Sequence, residues 1–200
     1  MEDSNMIRAV ISSTDYPNSI ITDEIKKKIL ERVNLNLKTH CGKEKNADKN
    51  MNDVQAIRYS SATARNGQLV VSCYNQRSAV WLSLTISKTE WKSAIGMSLV
   101  VKPEKDTVVL PSFVLWFPID GLKFDEATIT MKTHHAMKTE NWKHLHTAVT
   151  PPGAGSRHIF LGDEHLKGEF TNVGAKEFTF QHLLYSRKIT LRLIPSDSSK

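Results

Sequence analysis

The sequence predicts an α+β protein built from two tandem ferredoxin-like units, each with the element order β-α-β-β-α-β. Short stretches of alternating apolar and polar residues indicate strands, and apolar residues at every third or fourth position indicate helices. These stretches follow the same order twice along the chain. The polar segment 103–107 separates the two copies, so we place the first unit at 1–106 and the second at 107–200.

The first unit begins with a strand and a helix. Residues 6–11 alternate as a strand, and the turn-forming stretch 15–19 ends it. Thr22 suits the N-cap of the helix that follows, because a threonine oxygen can accept from a free backbone N–H of the first turn. One apolar face, which we expect to pack on a sheet, repeats every four residues at Ile25, Ile29 and Val33.

Residues 38–53 differ in composition from the segments on either side. They contain almost no apolar side chain, and lysine, asparagine and aspartate recur along them. Such a segment cannot bury enough apolar surface to offset the entropy that ordering costs. We therefore predict a solvated, disordered insertion at 38–53, between the first helix and the second strand.

The rest of the first unit reads as a hairpin, a helix and a closing strand. Asn66-Gly67 predicts a tight hairpin turn, because both residues tolerate the positive φ angles that such a turn requires. Asn75 suits the N-cap of the second helix. The predicted strands lie within 54–61 and at 68–74, the helix at 75–86, and the last strand at 98–101.

The second unit opens with the stretch 113–117, which is apolar on both faces, as is typical of a central strand. Asp163 suits the N-cap of a short helix, with its carboxylate at the positive end of the helix dipole. The other predicted elements are a helix at 125–135, strands at 142–147 and 157–161, and a strand or hairpin within 178–194.

Composition limits the classes of partner. The formal net charge is +6 and the isoelectric point is near 9.3, which favours anionic partners, with nucleic acid first and acidic membrane surfaces second. The two cysteines, Cys41 and Cys73, form no CxxC motif, which is typical of a reducing compartment. The start of the chain is polar, and the longest apolar run is far shorter than a membrane span. We expect an intracellular protein, in nucleus or cytoplasm, with no membrane partner.

A series of short motifs runs along nearly the whole chain. The motifs are Asp15-Tyr-Pro, Gly67-Gln-Leu-Val-Val, Ala79-Val-Trp-Leu82, Trp91, Val114-Leu-Trp-Phe-Pro118, Lys138-Thr-Glu-Asn-Trp142, Ile159-Phe-Leu-Gly-Asp163 and Ile189-Thr-Leu-Arg-Leu193. With these motifs in this order, the chain resembles an arthropod family of domains of unknown function, numbered 4780, that occurs in retroelement-like contexts. The resemblance implies an RNA-recognition or ferredoxin-like fold and a genomic setting, and no particular activity.

RNA-recognition domains stack bases on aromatic side chains that the two central strands of the sheet expose. The first unit offers only Tyr74 for this role. In the second unit, we expect Leu115, Ile159 and Leu161 to face the core. Alternation then places Trp116, His158, Phe160 and Arg192 on the opposite, exposed face, and the basic Lys143, Arg157 and Arg192 could bind phosphates nearby. The predicted nucleic-acid-binding residues are Trp116, Lys143, Arg157, His158, Phe160 and Arg192.

Two other roles remain open for these residues. An aromatic sheet face is also good interface material, so it could be buried between the two units or against a partner. His144, His146 and His158 could approach a common metal, but no cysteine or carboxylate completes a zinc-ligand spacing, so we predict no metal site.

The sequence carries no Gly-rich phosphate loop, no Gly-x-Ser-x-Gly motif and no HExxH motif. We therefore expect a non-catalytic module with no cofactor and no small-molecule substrate. The leading hypothesis is an adaptor that binds single-stranded RNA or DNA. The alternative is a protein-interaction scaffold that uses a sheet edge or an apolar helix face. A metal-dependent enzyme is a distant third.

Overall fold

The computed structural model describes residues 6–47, 56–170, 172–182 and 185–195. The chain divides after Val108 into two compact units. Each unit contains one antiparallel sheet and α-helices, so the predicted α+β class is confirmed.

The first unit contains a four-stranded sheet in the order β2-β3-β1-β4, in which all neighbouring strands are antiparallel. A single 3-10 turn, Glu104–Asp106, follows the last strand. The elements in chain order are β1 Ile7–Ser13, α1 Asp23–Ala47, β2 Tyr59–Arg65, β3 Gln68–Cys73, α2 Gln76–Lys88, α3 Trp91–Ile95 and β4 Leu99–Pro103.

Helix α1 starts where the cap predicts and ends later than predicted. The Thr22 hydroxyl accepts from the backbone N–H of Ile25, and the buried Ile29 and Val33 lie on the packed face. The disordered insertion predicted at 38–53 is wrong over 38–47, because this stretch continues the helix. Lysine, glutamate and alanine are good helix formers, so a helix already nucleated on the core extends without a second apolar face. Residues 48–53 of the predicted insertion lie outside the described residues.

The predicted hairpin turn is confirmed. Asn66 and Gly67 have φ angles of 51° and 73°, and Arg65 pairs with Gln68. A two-residue turn places the end of the preceding strand directly before it, so β2 ends at Arg65, beyond the predicted 54–61, and it begins at Tyr59. Residues 54 and 55 lie outside the described residues.

The core of the first unit forms where α1, α2 and α3 pack on one side of the sheet. The Asn75 side chain caps α2 as predicted, since its Oδ1 accepts from the backbone N–H of Ser78 at 2.8 Å. Helix α3 is not among the predicted elements, and its Trp91 is buried with the indole N–H donating to the carbonyl of Ile86 at 2.8 Å. Other buried core residues are Ala9, Ile11, Ile29, Val33, Leu69, Val71, Leu82 and Ile86.

The second unit contains a five-stranded antiparallel sheet in the order β6-β7-β5-β9-β8, with β5 in the middle. The closing stretch of the chain forms a hairpin, β8–β9. The elements are β5 Ser112–Phe117, α4 Phe124–His135, β6 Lys143–Ala148, β7 Ser156–Leu161, α5 Glu164–Gly168, β8 Ala175–His182 and β9 Tyr185–Ile194. Helix α4 matches the predicted 125–135 closely, and the Asp163 carboxylate caps α5 as predicted.

The predicted orientation of β7 is wrong. His158 and Phe160 were expected on the exposed face, and both are 0% exposed, whereas Ile159 is only half-buried. The register explains the difference, because Phe160 lies opposite Phe113 and His158 lies opposite Leu115. Directly opposed residues share a face of the sheet. Both therefore lie on the core side with Phe113 and Leu115.

This orientation predicts different costs for two neighbouring substitutions. Phe160→Ala is expected to lower the free energy of unfolding by about 3–5 kcal/mol, since it leaves a cavity between packed rings. Ile159→Ala, on the half-buried side of the same strand, is expected to cost well under half of that. Chemical denaturation of both variants measures the difference. A larger loss for Ile159→Ala would contradict the observed orientation.

Candidate functional site

The side of the second sheet that faces away from the core is the candidate site, and we call it the open face. Strand alternation and the pairing register assign its members. On the three middle strands they include an aromatic side chain and two arginines. The part of this side around Trp116, away from the buried Ser112 and Leu161, comprises Val114, Trp116, His146, Ala148, Arg157, Ile159, Lys188, Thr190 and Arg192.

Trp116 lies on the middle strand β5 and is partly exposed. Its indole N–H donates to the backbone carbonyl of Ala154 at 2.8 Å. The hydrogen bond satisfies the polar edge of the ring and fixes its orientation, while part of the apolar ring stays accessible. Trp116 is thus an ordered aromatic platform.

The carbonyl that holds Trp116 belongs to a well-bonded loop at 150–155. The Asp120 carboxylate accepts from the backbone N–H groups of Gly153 and Gly155, at 2.6 and 2.7 Å. Gly155 has a φ of +80°, and a Cβ built on it would lie 2.1 Å from the carbonyl oxygen of Phe117. Only glycine fits this position. The loop therefore holds the Ala154 carbonyl at a fixed place beside the open face.

Two arginines flank Trp116 on the neighbouring strands. Arg157 on β7 lies directly opposite Trp116, and Arg192 on β9 lies opposite Val114, one diagonal step away. Both are exposed, and neither forms an ion pair among the described residues. The third cation of the face, Lys188, pairs with Glu177 at 2.7 Å. The two arginines are thus available to an anionic ligand.

Lys143 lies apart from this group. It begins the edge strand β6, is half-buried and pairs with Leu161, whereas Trp116 lies at the other end of the middle strand. Ser112, which also pairs with Leu161, is four residue steps from Trp116, which correspond to about 13 Å along a strand. The structure therefore brings together Trp116, Arg157 and Arg192 of the six predicted site residues.

The other two predicted residues, His158 and Phe160, lie beneath the sheet in the core. Phe160 stacks on Phe113 and on Trp142, with ring centroids 5.5 and 4.3 Å apart. The Nδ1 atom of His158 shares a hydrogen bond with the Thr147 hydroxyl at 3.0 Å. Neither ring is accessible for stacking on a base in this structure.

The buried His158 belongs to a small polar cluster at the edge of the core side, with the half-buried His144 and the exposed Thr147. The Thr147 hydroxyl also shares a hydrogen bond with Nε2 of His144, whose ring stacks on Phe124 with a centroid distance of 4.6 Å. The Nε2 atom of His158 is buried and has no hydrogen-bond partner among the described residues. Burial lowers the pKa of His158 below the ordinary 6.5, and the neighbouring His144 lowers it further. Burial also lowers the pKa of His144.

The corresponding side of the first sheet offers no comparable platform. Val10 and Gln68 on it are buried, and the Gln68 side chain donates to the carbonyl of Val108 at 3.4 Å. Arg8 pairs with Glu104 at 3.5 Å. Tyr74 is exposed but lies just beyond the end of β3. Among the described residues, this side of the first sheet therefore lacks an aromatic ring flanked by unpaired cations.

Asp120 and Ala154 are the residues of the site that the sequence analysis does not identify. The available signal is the spacing of Asp120 after the middle strand and the two glycines in Pro-Pro-Gly-Ala-Gly. Nothing local to the sequence pairs a carboxylate with a loop more than thirty positions away. That pairing depends on the sheet bringing the ends of β5 and β7 together.

In the part of the chain that the structure describes, no three histidine, cysteine, aspartate or glutamate residues cluster in a way that could hold a metal ion. Over the same residues, no helix has the length and apolar character needed to cross a membrane.

One family model matches the chain. It is described as "Domain of unknown function (DUF4780)" and matches residues 2–162. The match covers the first unit and the second unit as far as the end of β7, including the loop at 150–155 and Trp116. No curated protein matches the chain.

The lowered pKa values of His158 and His144 predict that stability depends on pH. His158 and His144 have depressed pKa values in the folded state, so on acidification the unfolded state binds protons first. Their contribution to stability is complete above the ordinary pKa of 6.5 and is lost as pH falls below it. We expect the unfolding free energy to fall between about pH 7.5 and about pH 5, above the range in which ordinary carboxyl groups titrate.

Denaturation at several pH values measures this effect, and NMR titration of the His158 ring protons assigns it. In His158→Leu the dependence is expected to flatten, because the buried titratable group is gone. A His158 ring that titrates at or above 6.5 in the folded protein would contradict the burial argument.

Proposed function

The chain belongs to the family described as "Domain of unknown function (DUF4780)", and we propose that it is a non-catalytic adaptor that binds single-stranded nucleic acid, RNA in particular. The observation that carries the proposal is the placement of Trp116 on the open face between Arg157 and Arg192. A partly exposed aromatic ring between two unpaired arginines can stack a base while the arginines bind the adjoining phosphates.

The strand orders support a tandem ferredoxin-like architecture as part of the proposal. The first sheet has the order β4-β1-β3-β2, and the second has β9-β5-β7-β6 with β8 added beside β9. In both sheets the first and third strands of the unit are neighbours. RNA-recognition domains bind bases with these two strands. Trp116 and Arg157 lie on them.

The chemistry of the face favours an unpaired strand over a duplex. Stacking on Trp116 requires a base with a free face, which a single strand presents and a duplex interior does not. Each stacked base contributes about 1–3 kcal/mol to the binding free energy, and this contribution depends little on which base is stacked. Two arginine contacts to phosphates add affinity that salt weakens. We therefore expect modest affinity, weak sequence preference and marked salt dependence.

A non-catalytic role fits the groups that the structure describes. The Cys73 thiol is buried in the first core, and burial raises its pKa to about 11, so it is a poor nucleophile at neutral pH. The Asp163 carboxylate caps α5 by accepting from the backbone N–H of Leu166 at 2.8 Å. These are structural roles.

The setting of the protein is also part of the proposal. We propose for this chain the arthropod origin and the retroelement association that the family resemblance implies. We also propose the location in nucleus or cytoplasm that its composition predicts. These bear on where the adaptor acts, and the open face determines what it binds.

The test is fluorescence-anisotropy titration of the full chain with a labelled single-stranded RNA of about 12 nucleotides across a salt series, since single-strand sites are of this size. Trp116→Ala is expected to weaken binding by about 5- to 150-fold, the equivalent of one stacked base. Trp116→Phe keeps a ring and is expected to weaken binding much less. Arg192→Ala is expected to lower the salt slope, which is the steepness of the fall in the logarithm of the binding constant with the logarithm of the salt concentration, by about 0.7.

Lys132→Ala is the matched control for the loss of one positive charge. Lys132 lies on α4, which packs on the core side, and pairs with Glu140 at 2.7 Å. It is expected to leave affinity and salt slope nearly unchanged. Unaltered binding by a folded Trp116→Ala variant would overturn the stacking model, and equal effects of Lys132→Ala and Arg192→Ala would overturn the assignment to the open face.

A further inference from the structure

A groove in the first unit lies beside the edge strand β4, between helix α2 and the adjoining ends of β1 and β4. Its volume is about 440 Å³. Val80 projects into it from α2 and is 47% exposed, although it is a large aliphatic side chain. The apolar lining consists of Ile7, Ala9, Ala79, Val80, Val101 and Pro103. The open face of the second unit is not part of this groove.

The groove runs along a strand that can accept another. Among the described strands, β4 pairs with β1 alone, so its outer edge has no neighbouring strand. An exposed edge carries a row of backbone donors and acceptors that an extended peptide can satisfy as an added strand. Val101 and Lys102 point to opposite sides of the sheet, as their partners Ile11 and Val10 do.

The charge around the groove has one sign. Arg8, Lys102 and Lys105 line it, and no carboxylate does. Helix α2 contains no acidic residue over its whole length, so nothing in its first turn offsets the positive end of its dipole. Lys102 and Lys105 are exposed and form no ion pair among the described residues. Two acids follow in sequence: Glu104 pairs with Arg8 and Arg65, and the exposed Asp106 does not line the groove.

We propose that this groove binds an extended segment of a partner protein in which acidic and apolar side chains alternate. The segment adds to β4 as a further strand of the first sheet. Alternation sends its apolar side chains towards Val80 and Val101 on the helix side, and its carboxylates towards Lys102 on the other side. The apolar contacts supply affinity, and the charges select acidic segments over basic ones.

The probe is a dye-labelled ten-residue peptide in which glutamate and valine alternate, titrated by fluorescence anisotropy against the full chain. A peptide that alternates lysine and valine is the charge control. We expect the acidic peptide to bind and the basic peptide not to bind. Absence of binding by the acidic peptide, or equal binding of both, would overturn the proposal.

Helix α2 offers a matched pair of variants. Val80→Asp places a negative charge in the groove, and we expect it to weaken binding by about tenfold or more. Leu84→Asp makes the same change one helical turn further on, at a side chain that is 50% exposed and does not line the groove. It is expected to retain binding. Equal loss in both variants would place the effect in the stability of α2 and overturn the assignment to the groove.

Charge reversal at the strand tests the electrostatic part. Lys102→Glu is expected to weaken the binding of the acidic peptide and to permit weak binding of the basic peptide. Single-stranded RNA serves as a competitor in the same assay. Displacement of the peptide by RNA at this groove would show a phosphate-binding surface and overturn the choice of a protein segment.

Discussion

The pairing register between β5 and β7 is the constraint on which the second unit depends. Phe113 lies opposite Phe160 and Leu115 opposite His158, so these four side chains share the core side. The same register leaves Trp116 and Arg157 together on the other side. A slip of one residue along β7 would bury Arg157 and expose Phe160. The stacked pair of phenylalanine rings therefore fixes the core and, at the same time, the composition of the open face.

The loop at 150–155 adds a second level of order at the end of these strands. Asp120 holds two backbone N–H groups of the loop, and the loop carbonyl of Ala154 in turn holds the Trp116 indole. An aromatic ring held in this way loses little conformational entropy when a ligand stacks on it, so more of the stacking energy appears as affinity. The His144–Thr147–His158 cluster lies on the opposite side of the same sheet, and we expect its two histidines to make stability depend on pH.

The features that sequence reasoning predicts well are those that short segments determine. The caps at Thr22, Asn75 and Asp163 and the turn at Asn66-Gly67 each depend on a few adjacent residues, and all four are present. The predicted orientation of β7 is wrong because polarity alone assigns the polar His158 to the exposed face and the apolar Ile159 to the core. Only the partner strand reveals that an aromatic core accepts the histidine. The hold of Asp120 on a distant loop likewise depends on tertiary structure, as does the helical extension of 38–47.

The first and second units present different chemistry, an apolar groove with a basic rim in one and a flanked aromatic ring in the other. We propose that the flanked aromatic ring of the second unit binds the nucleic acid. The most direct test of this proposal is to record the backbone amide NMR spectrum of the full chain while single-stranded RNA is added. The account predicts that the largest shift changes fall on β5, β7, β9 and the loop at 150–155. Changes confined to the helices of either unit, or no changes at low salt, would contradict it.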